Sequence, residues 1–513
     1  MSEADHPLAH RHDWTTGTAL ALAGVCLVAA ALRFHALDFG LTYPQARPDE
    51  TTAVGHAVAI LAGDPNPHFF NWPSLTLYLF AGALGLAQIA GVTLSPIHDI
   101  LIARVVVALA GTATVLVTFV VARRLAGRHA GVAAALLLAV VPLHVRDSHF
   151  AMTDVVMTLL VTISIALAMR GVETRRTGAF AAAGAVGGLA TSAKYSAGVI
   201  LAIAGAAPTI AAALAFAAAW AAGFVGATPF ALLDFPAFRA DVAYERAHLG
   251  AGHAILLARG WTAHLQTTLP YGLGIAVCLT AAAGVPIALA THRRKALVPV
   301  IFAAAFYASI GAGRTVFFRY ALPLLPVACV FAATALSVAA ARLGRRAKWH
   351  EAAVIAVLTA IVAAPSLSQS VHIDRLLARE DSRAMAAAWL GARLRPEQTV
   401  HDSGGVYTKL FFTGIEFHEW RYDAAARSFG DPAGATPDWI VLYESPLPEY
   451  SAAPASLRDL VRERYSLEYR VDGVPADAGD GVYDRQDAFF LPIAGFTGVA
   501  RPGPTVLIYK RRA

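Results

Sequence analysis

The residues ARPDETTAVGHAVAILAGDPNPHFFNWPSL, numbers 46–75, lie shortly after the first apolar helix predicted for this chain. This stretch is too polar to span a membrane, and near its start it carries the carboxylate pair Asp49-Glu50. Carboxylates beside a bilayer are costly to desolvate, so their presence there indicates a function. Together with the neighbouring His, Trp, Phe and Pro residues, the pair predicts a catalytic site at one face of a membrane.

The composition places the chain among integral membrane proteins. Of its 513 residues, 57% are hydrophobic and 15% are charged, whereas soluble domains carry about a quarter charged residues. The formal net charge is +6, but the basic residues stand in short clusters between apolar runs, where topology signals occur. We therefore expect no nucleic-acid partner. The three cysteines lie inside apolar runs, so neither a disulfide framework nor a metal–thiolate motif is predicted.

Apolar segments alternate with short polar connections in the first 370 residues. A membrane span needs roughly 20 apolar residues. The segments lie near 17–36, 72–92, 102–122, 131–145, 153–169, 178–192, 196–207, 208–227, 269–290, 296–311, 320–341 and 351–370. From residue 371 charged residues, Tyr and Pro become frequent and no long apolar run follows. The chain therefore divides into a predicted membrane domain, 1–370, and a predicted soluble domain, 371–513.

The topology depends on whether segment 72–92 spans the membrane, as its length would allow. If it does not, every basic cluster falls on the cytoplasmic side together with the N-terminus, which the positive-inside rule favours. The clusters are the N-terminal His-Arg-His and residues 123–128, 170–176, 293–295 and 342–348. We therefore predict that 72–92 lies on or dips into the outer face. The result is eleven transmembrane helices, a cytoplasmic N-terminus and an extracytoplasmic C-terminal domain.

This topology gathers the unusual polar residues at one face, although their positions were not used to derive it. They are Asp49, Glu50, His68, Asn71, Arg104, the run 144–149, Asp154, Lys194, Arg314 and Arg319. In the soluble part, 382–394 has a helical pattern, and 398–402, 439–443 and 505–509 have strand patterns. A helix followed by strands indicates a small α/β domain. No catalytic motif stands out in it, and it could bind an acceptor or cover the outer face.

Several motifs, in this order, resemble the GT-C glycosyltransferases of the family 39 and aminoarabinose-transferase type. They are Pro48-Asp49-Glu50, GDPNPHFFNWPSL (63–75), Ala103-Arg104 opening a helix that ends in ARRLAG (122–127), PLHVRDSHFAMTD (142–154), GGLATSAKY (187–195), FRYALPLLP (318–326) and DSRAMAAAW (381–389). Two departures from the family pattern are visible. Arg47 takes the place of a frequent His, and Trp72-Pro73 replaces a double Pro.

The resemblance implies a fold and an activity. The fold would be an all-α, polytopic GT-C membrane domain with a catalytic loop at 37–101 on the outer face, followed by the small α/β domain. Members of the family take a sugar from a polyprenyl-phosphate carrier, with inversion, and are thought not to need a metal for the transfer. The first Asp of the motif, Asp49, would act as the base. The Ala- and Arg-rich composition is consistent with a bacterial inner or plasma membrane.

The chemistry also follows from the residues. An acceptor hydroxyl must lose a proton as it attacks the anomeric carbon, and a carboxylate within hydrogen-bond reach accepts it. We assign this role to Asp49, while Glu50 would orient Asp49 or bind a sugar hydroxyl. The competing reading is that Asp49 caps the following helix and that Glu50 favours its dipole.

The departing phosphate needs positive charge, which Arg or Lys supplies. Arg104, Lys194 and Arg319 are the candidates, with Arg104 alternatively a snorkelling interface anchor. Tyr320 belongs either to the site or to the aromatic belt of the membrane interface.

Further substrate-binding candidates are His149, Asp154, His68 and Asn71. Asp154 could bind the sugar, hold an arginine, or cap a helix. The histidines match no tight metal-ligand motif, so we expect no required cofactor, although a divalent metal stays possible.

Two other functions remain open, a membrane transporter and a non-catalytic lipid- or sugar-binding membrane protein. Intramembrane charge also marks transport pathways, but no internal repeat is visible and the charges lie at one face. The sequence does not identify the sugar. It leaves the acceptor open among lipid, glycan and protein, with membrane lipids as the surrounding partners.

Overall fold

The computed structural model describes residues 15–512, except 413, 415–416, 431–434 and 478, and most of these residues are helical. The N-terminal His-Arg-His cluster lies outside the described residues. The helices before residue 378 are α1 (Thr16–Phe34), α2 (Glu50–Leu61), α3 (Leu75–Ile89), α4 (Pro96–Ala126), α5 (Arg128–Val140), α6 (Pro142–Asp147), α7 (Thr153–Thr174), α8 (Thr177–Ala193), α9 (Ile210–Ala227), α10 (Phe230–Leu233), α11 (Phe235–Ala251), α12 (Gly260–Ala263), α13 (Leu269–Leu273), α14 (Ile275–Ala312), α15 (Leu324–Ala347) and α16 (Glu351–Leu377). Two 3-10 segments, Tyr195–Ala206 and Phe318–Ala321, and a π-helical turn, His264–Thr268, complete this part.

Seven helical segments among the described residues are long and apolar enough to cross a membrane: α1, α4, α7, α9, α14, α15 and Glu351–Gly391. The 38 residues of α14 would extend about 57 Å, nearly twice the thickness of a hydrocarbon core. The helix breaks at His292, where φ is −137°, so its halves correspond to two spans. With the shorter α5, α8 and Tyr195–Ala206, the eleven predicted spans all have a helical counterpart. The chain is a multi-pass membrane protein.

Helix α3, which covers most of the segment 72–92, has 15 residues. Its length of about 22 Å falls short of a hydrocarbon core of about 30 Å. Because α5, with 13 residues, is shorter still and is counted among the spans, helix length does not test the position of this segment, which stays a prediction.

Three of the basic clusters, 123–128, 170–176 and 293–295, meet at one end of the helical bundle. Glu173 accepts from Arg124 at 2.8 Å and from Lys295 at 3.1 Å, and Lys295 also donates to the carbonyl of Arg124. Arg104 lies on the same helix, α4, some 20 residues before Arg124, which is about 30 Å along the axis. These three clusters and Arg104 therefore lie about a membrane thickness apart, and the orientation of the bundle stays a prediction.

Helices α8 and α9 approach each other through glycines. A Cβ at Gly184 would overlap the carbonyl of Phe216, and one at Gly188 would overlap the carbonyl of Trp220. Small residues allow such close contact between helices in membranes. This interface holds the end of α8, where Lys194 follows as the C-terminal cap residue.

The C-terminal part forms a five-stranded sheet in the order β2-β1-β5-β7-β6, in which β2, β1 and β5 are parallel and β7 is antiparallel to its neighbours. The strands are β1 (Thr399–Asp402), β2 (His418–Glu419), β3 (Tyr422–Asp423), β4 (Ser428–Phe429), β5 (Trp439–Glu444), β6 (Tyr465–Val471) and β7 (Thr505–Arg511), and the helices are α17 (Ser382–Gly391), α18 (Pro448–Ser451) and α19 (Ala455–Arg464). The three predicted strands are β1, β5 and β7, and the predicted helix is α17.

The two parts of the chain are joined more closely than the sequence predicts. The predicted boundary after residue 370 lies inside α16, which continues to Leu377. The late segment containing Phe489, Phe490, Leu491 and Ile493 belongs to the same hydrophobic core as the membrane helices. One segment of the C-terminal domain, around residues 489–493, therefore packs against the membrane domain.

Candidate active site

Asp49 stands at the start of α2 in an unusual backbone conformation. Its φ is +73°, in the left-handed region, and its side chain makes no capping hydrogen bond. Asp tolerates this region better than most residues, but the conformation costs free energy, about 1–3 kcal/mol, and persists where the surroundings enforce it. The carboxylate is 34% exposed and lies 3.3 Å from Nη2 of Arg319. The capping interpretation is therefore not supported for the Asp49 side chain.

Glu50 and Arg104 form a buried pair that faces away from solvent. The Glu50 side chain is 2% exposed and accepts from Arg104 Nε at 2.9 Å, from Arg104 Nη2 at 2.6 Å and from the Ala151 N–H at 2.7 Å. Arg104 Nη1 donates to the carbonyls of Leu37 and Phe39, both at 2.7 Å. These contacts join α2 and α4 to the loop that contains Leu37 and Phe39 and to the loop that contains Ala151. The pair therefore supports the backbone around Asp49 and does not face the solvent.

Among the described residues, the two predicted histidines form hydrogen bonds and ion pairs with residues other than the candidates. His149 is fully buried, with its ring nitrogens 3.0 Å and 2.8 Å from the carbonyls of Val145 and His35. His68 is exposed and lies 3.2 Å from Asp64.

Asp154 and Lys194 form an ion pair with one open acceptor. Lys194 Nζ lies 2.6 Å from Asp154 Oδ1 and 4.6 Å from the centre of the Tyr320 ring. The other carboxylate oxygen, Oδ2, is buried and has no protein partner. The pair therefore retains hydrogen-bonding capacity beside the cavity that Lys194 lines.

Two cavities meet at a common wall. Their shared lining residues are Asn71, Trp72, Glu245, Arg319 and Tyr320. The smaller, of about 250 Å³, is the polar cavity, and its further lining residues include Asp49, His248, His253, Tyr407 and Asp487. The larger, of about 660 Å³, is the apolar cavity, and its further lining residues include Met152, Lys194, Tyr195, Leu249 and Ile310. Of the predicted residues, Asp49 lines the polar cavity, Lys194 lines the apolar cavity, and Asn71, Arg319 and Tyr320 line both. Glu50, Arg104, His149, Asp154 and His68 line neither.

Arg319 links the two cavities. It lies in the 3-10 turn Phe318–Ala321, its side chain is 8% exposed, and its guanidinium packs 4.2 Å from the centre of the Phe317 ring. Nη2 faces Asp49 and Nη1 faces Asp487, each at 3.3 Å. A single cation therefore lies between two carboxylates and borders both cavities.

The candidate residues chosen from the sequence omit two residues of the site, Asp487 and Glu245. Asp487, from the C-terminal domain, accepts from Arg319 and, at 2.6 Å, from the fully buried Arg47. Glu245, on α11, accepts from Asn71 Nδ2 at 3.0 Å. The sequence shows no catalytic motif in the C-terminal domain, yet Asp487 of that domain lines the polar cavity. No local motif marked it, because its partners lie far away in the chain.

Burial and neighbouring charges shift the pKa values of three carboxyl groups near Arg319, those of Asp484, Asp487 and Glu245. Burial raises the pKa of Asp484 to about 7, and the neighbouring charge of Asp487 adds to the effect. Burial opposes ionisation of Asp487 as well, but Arg47 and Arg319 hold the pKa of that carboxyl below its usual value. Burial also raises the pKa of Glu245. Asp487 is therefore the carboxylate of this group that stays ionised beside Arg319.

Within the described residues, no three His, Cys, Asp or Glu side chains are grouped closely enough to hold a metal ion. Metal independence stays a prediction.

The comparisons with known proteins agree with this architecture. A family model described as dolichyl-phosphate-mannose-protein mannosyltransferase matches residues 88–233. This region contains Arg104, Asp154 and Lys194 and excludes Asp49 and Arg319. No curated protein matches the chain in sequence.

Solved structures match over more of the chain. ArnT from Cupriavidus metallidurans in the apo state shares 16% identity over 96% of this chain and 98% of that chain, with a TM-score of 0.55. The same protein bound to undecaprenyl phosphate shares 15% identity with the same coverage and a TM-score of 0.54. The apo Archaeoglobus fulgidus oligosaccharyltransferase shares 14% identity over 76% of this chain, with a TM-score of 0.52, and the chain spans 62% of that protein's length. The predicted GT-C fold with a small C-terminal sheet domain is confirmed.

Proposed function

We propose that this protein is an integral membrane glycosyltransferase that moves a sugar from a polyprenyl-phosphate carrier to an acceptor hydroxyl at the extracytoplasmic face. The observation that carries the proposal is the position of Arg319 between the two cavities, 3.3 Å from the partly exposed Asp49. The family model and the fold shared with ArnT support the donor class. The cell membrane would be a bacterial inner membrane, with the N-terminus in the cytoplasm.

In this proposal the apolar cavity takes the lipid phosphate and the polar cavity takes the acceptor. Lys194 and Arg319 would bind the phosphate by charge-assisted hydrogen bonds. The acceptor oxygen attacks the anomeric carbon and its proton passes to Asp49. The bond between the anomeric carbon and the phosphate oxygen breaks, and its electron pair stays on the phosphate, where Arg319 stabilises the charge. One displacement of this kind inverts the anomeric centre.

The test is sugar transfer from radiolabelled polyprenyl-phosphate sugars to membrane extracts, with Asp49→Asn compared with wild type. Loss of a general base costs about 10²–10⁴-fold, so we expect the variant to retain less than about 1% of wild-type transfer. Asp64→Asn is the matched control, because Asp64 is an exposed carboxylate just beyond the other end of α2 and lines neither cavity. Transfer by Asp49→Asn near the wild-type rate would refute the assigned base. Absence of transfer from every donor by folded wild type would refute the enzyme class.

A further inference from the structure

Residues 484–487 of the C-terminal domain, which we call the C-terminal clamp, contact the backbone of the segment that carries Arg319. Asp484 Oδ2 accepts from the Phe318 N–H at 2.6 Å. Gln486 Oε1 accepts from the Val316 N–H at 2.7 Å, and Gln486 Nε2 donates to a carbonyl of the same segment, that of Arg314, at 3.0 Å. The clamp therefore holds the backbone that leads into the turn from which the Arg319 side chain extends.

The last residue of the clamp contacts the Arg319 side chain. Asp487 Oδ1 lies 2.6 Å from Arg47 Nη1, and Oδ2 lies 3.3 Å from Arg319 Nη1. Arg47 is fully buried, with its guanidinium 4.7 Å and 5.6 Å from the ring centres of Phe150 and Phe489. Aromatic faces attract such a cation. Asp487 therefore lies between the buried Arg47 and Arg319 of the site.

We propose that Asp487 is a positioning residue for sugar transfer, anchored by Arg47, and that the C-terminal domain completes the active site through this contact. The inference rests on the proposed function. Asp49 and Asp487 face different nitrogens of Arg319 at the same distance. Without Asp487, Asp49 is the one carboxylate among the described residues that still forms an ion pair with the Arg319 side chain, and the guanidinium shifts toward the base and away from the phosphate.

The pairing also accounts for a departure in the sequence. Arg47 stands where the resembling family often has a His, and a buried arginine stays charged and needs a counter-ion. That counter-ion comes from the C-terminal domain, 440 residues later in the chain. The same carboxylate neutralises Arg47 and orients Arg319, so the two arginines are coupled through Asp487.

The first experiment separates positioning from stability. Asp487→Asn alone leaves Arg47 buried without a counter-ion and impairs folding, so the informative variant is Arg47→Met/Asp487→Asn, compared with Arg47→Met. Against that reference we expect turnover per folded molecule to fall at least tenfold, while KM for the polyprenyl-phosphate sugar changes less than threefold. The exposed Asp477→Asn, on the same stretch of the C-terminal domain, should match wild type. Equal turnover in the double variant and in Arg47→Met would overturn the proposal.

The second experiment needs no transfer assay. Hydrogen exchange of residues 314–321 in lipid nanodiscs reports the Val316 and Phe318 amides, which donate to the clamp. We expect Gln486→Ala to speed exchange in this peptide at least tenfold and to lower turnover as well. Unchanged exchange would show that the clamp does not order the segment. If wild type transfers no sugar but the exchange result holds, the proposed function fails while the contact stands.

Discussion

Replacing Arg104 by Met tests whether the Glu50–Arg104 pair is structural or chemical. In the folded protein, Glu50 takes two hydrogen bonds from Arg104, at 2.9 Å and 2.6 Å, and one from the Ala151 N–H at 2.7 Å. Arg104→Met removes both arginine bonds and leaves a carboxylate that is 2% exposed with one backbone donor. It also removes the hydrogen bonds that Arg104 Nη1 donates to the loop carbonyls of Leu37 and Phe39.

The magnitude follows from the burial of both charges. Breaking a buried ion pair by removing one partner costs about 3–5 kcal/mol, because the remaining charge is uncompensated. Replacing both charges together costs less, so Glu50→Gln should recover part of the loss when it is combined with Arg104→Met. We expect a coupling free energy of at least about 2 kcal/mol between the two positions, within the range known for residues in direct contact.

The assay is a double-mutant cycle on the unfolding free energy, measured by denaturation in mixed micelles, with sugar transfer per folded molecule recorded for the same variants. We expect the double variant to keep more transfer activity than Asp49→Asn, because Glu50 lines neither cavity. A coupling below about 0.5 kcal/mol would show that the sites are independent. A double variant that is stable but as inactive as Asp49→Asn would return Glu50 to the catalytic role predicted from the sequence.

Three further predictions concern other parts of the structure. Lys194→Met removes the cation paired with Asp154 beside the apolar cavity. The Kd for polyprenyl phosphate, measured in nanodiscs, should therefore rise at least tenfold. An unchanged Kd would contradict a role of Lys194 in phosphate binding. Gly188→Ala places a Cβ against the carbonyl of Trp220. Overpacking costs about 1–3 kcal/mol, so the midpoint of thermal unfolding should fall. An unaltered midpoint would disprove the close contact between α8 and α9. Burial raises the pKa of Asp402 to about 6, above the unfolded value of about 3.9, so its contribution to stability should fall by roughly 3 kcal/mol as pH rises from about 3 to 7. Asp402→Asn should remove this slope from the pH dependence of unfolding, and a slope shared by both proteins would exclude Asp402 as its source.

The part of the site that could be predicted is the part that lies at helix ends. Asn71, Lys194 and Arg319 each occur where an apolar run begins or ends, and Asp49 lies in the polar connection between the first two runs. The charge bias of the connections assigns these positions to one face. Family resemblance added the order of the motifs. The structure then brings these four residues to the walls of two adjoining cavities.

The remaining part depends on information that no local pattern contains. Arg104 opens an apolar helix like an interface anchor, and only packing shows that its side chain turns inward to Glu50. Asp487 lies in an irregular segment 168 residues after Arg319, so neither periodicity nor spacing links them. Composition shows where the apolar runs stop, and the predicted domain boundary rests on it. It carries no information on which later residues pack against the membrane domain, so it could not predict the contact of Asp487 with Arg319.

The return of residues 484–493 to the membrane domain has a consequence for biogenesis. The ribosome synthesises this stretch after α16, the last helix of the membrane domain, so the bundle can insert and pack while the counter-ion of Arg47 is still missing. Arg47 then lacks its counter-ion until residue 487 has been synthesised. A product cut short before Asp484 would enter the bilayer with its helices in place and lack the contact between Asp487 and Arg319. Assembly of the cavity wall around Arg319 is thereby tied to synthesis of the C-terminal domain, and truncated copies would keep Arg47 without its carboxylate.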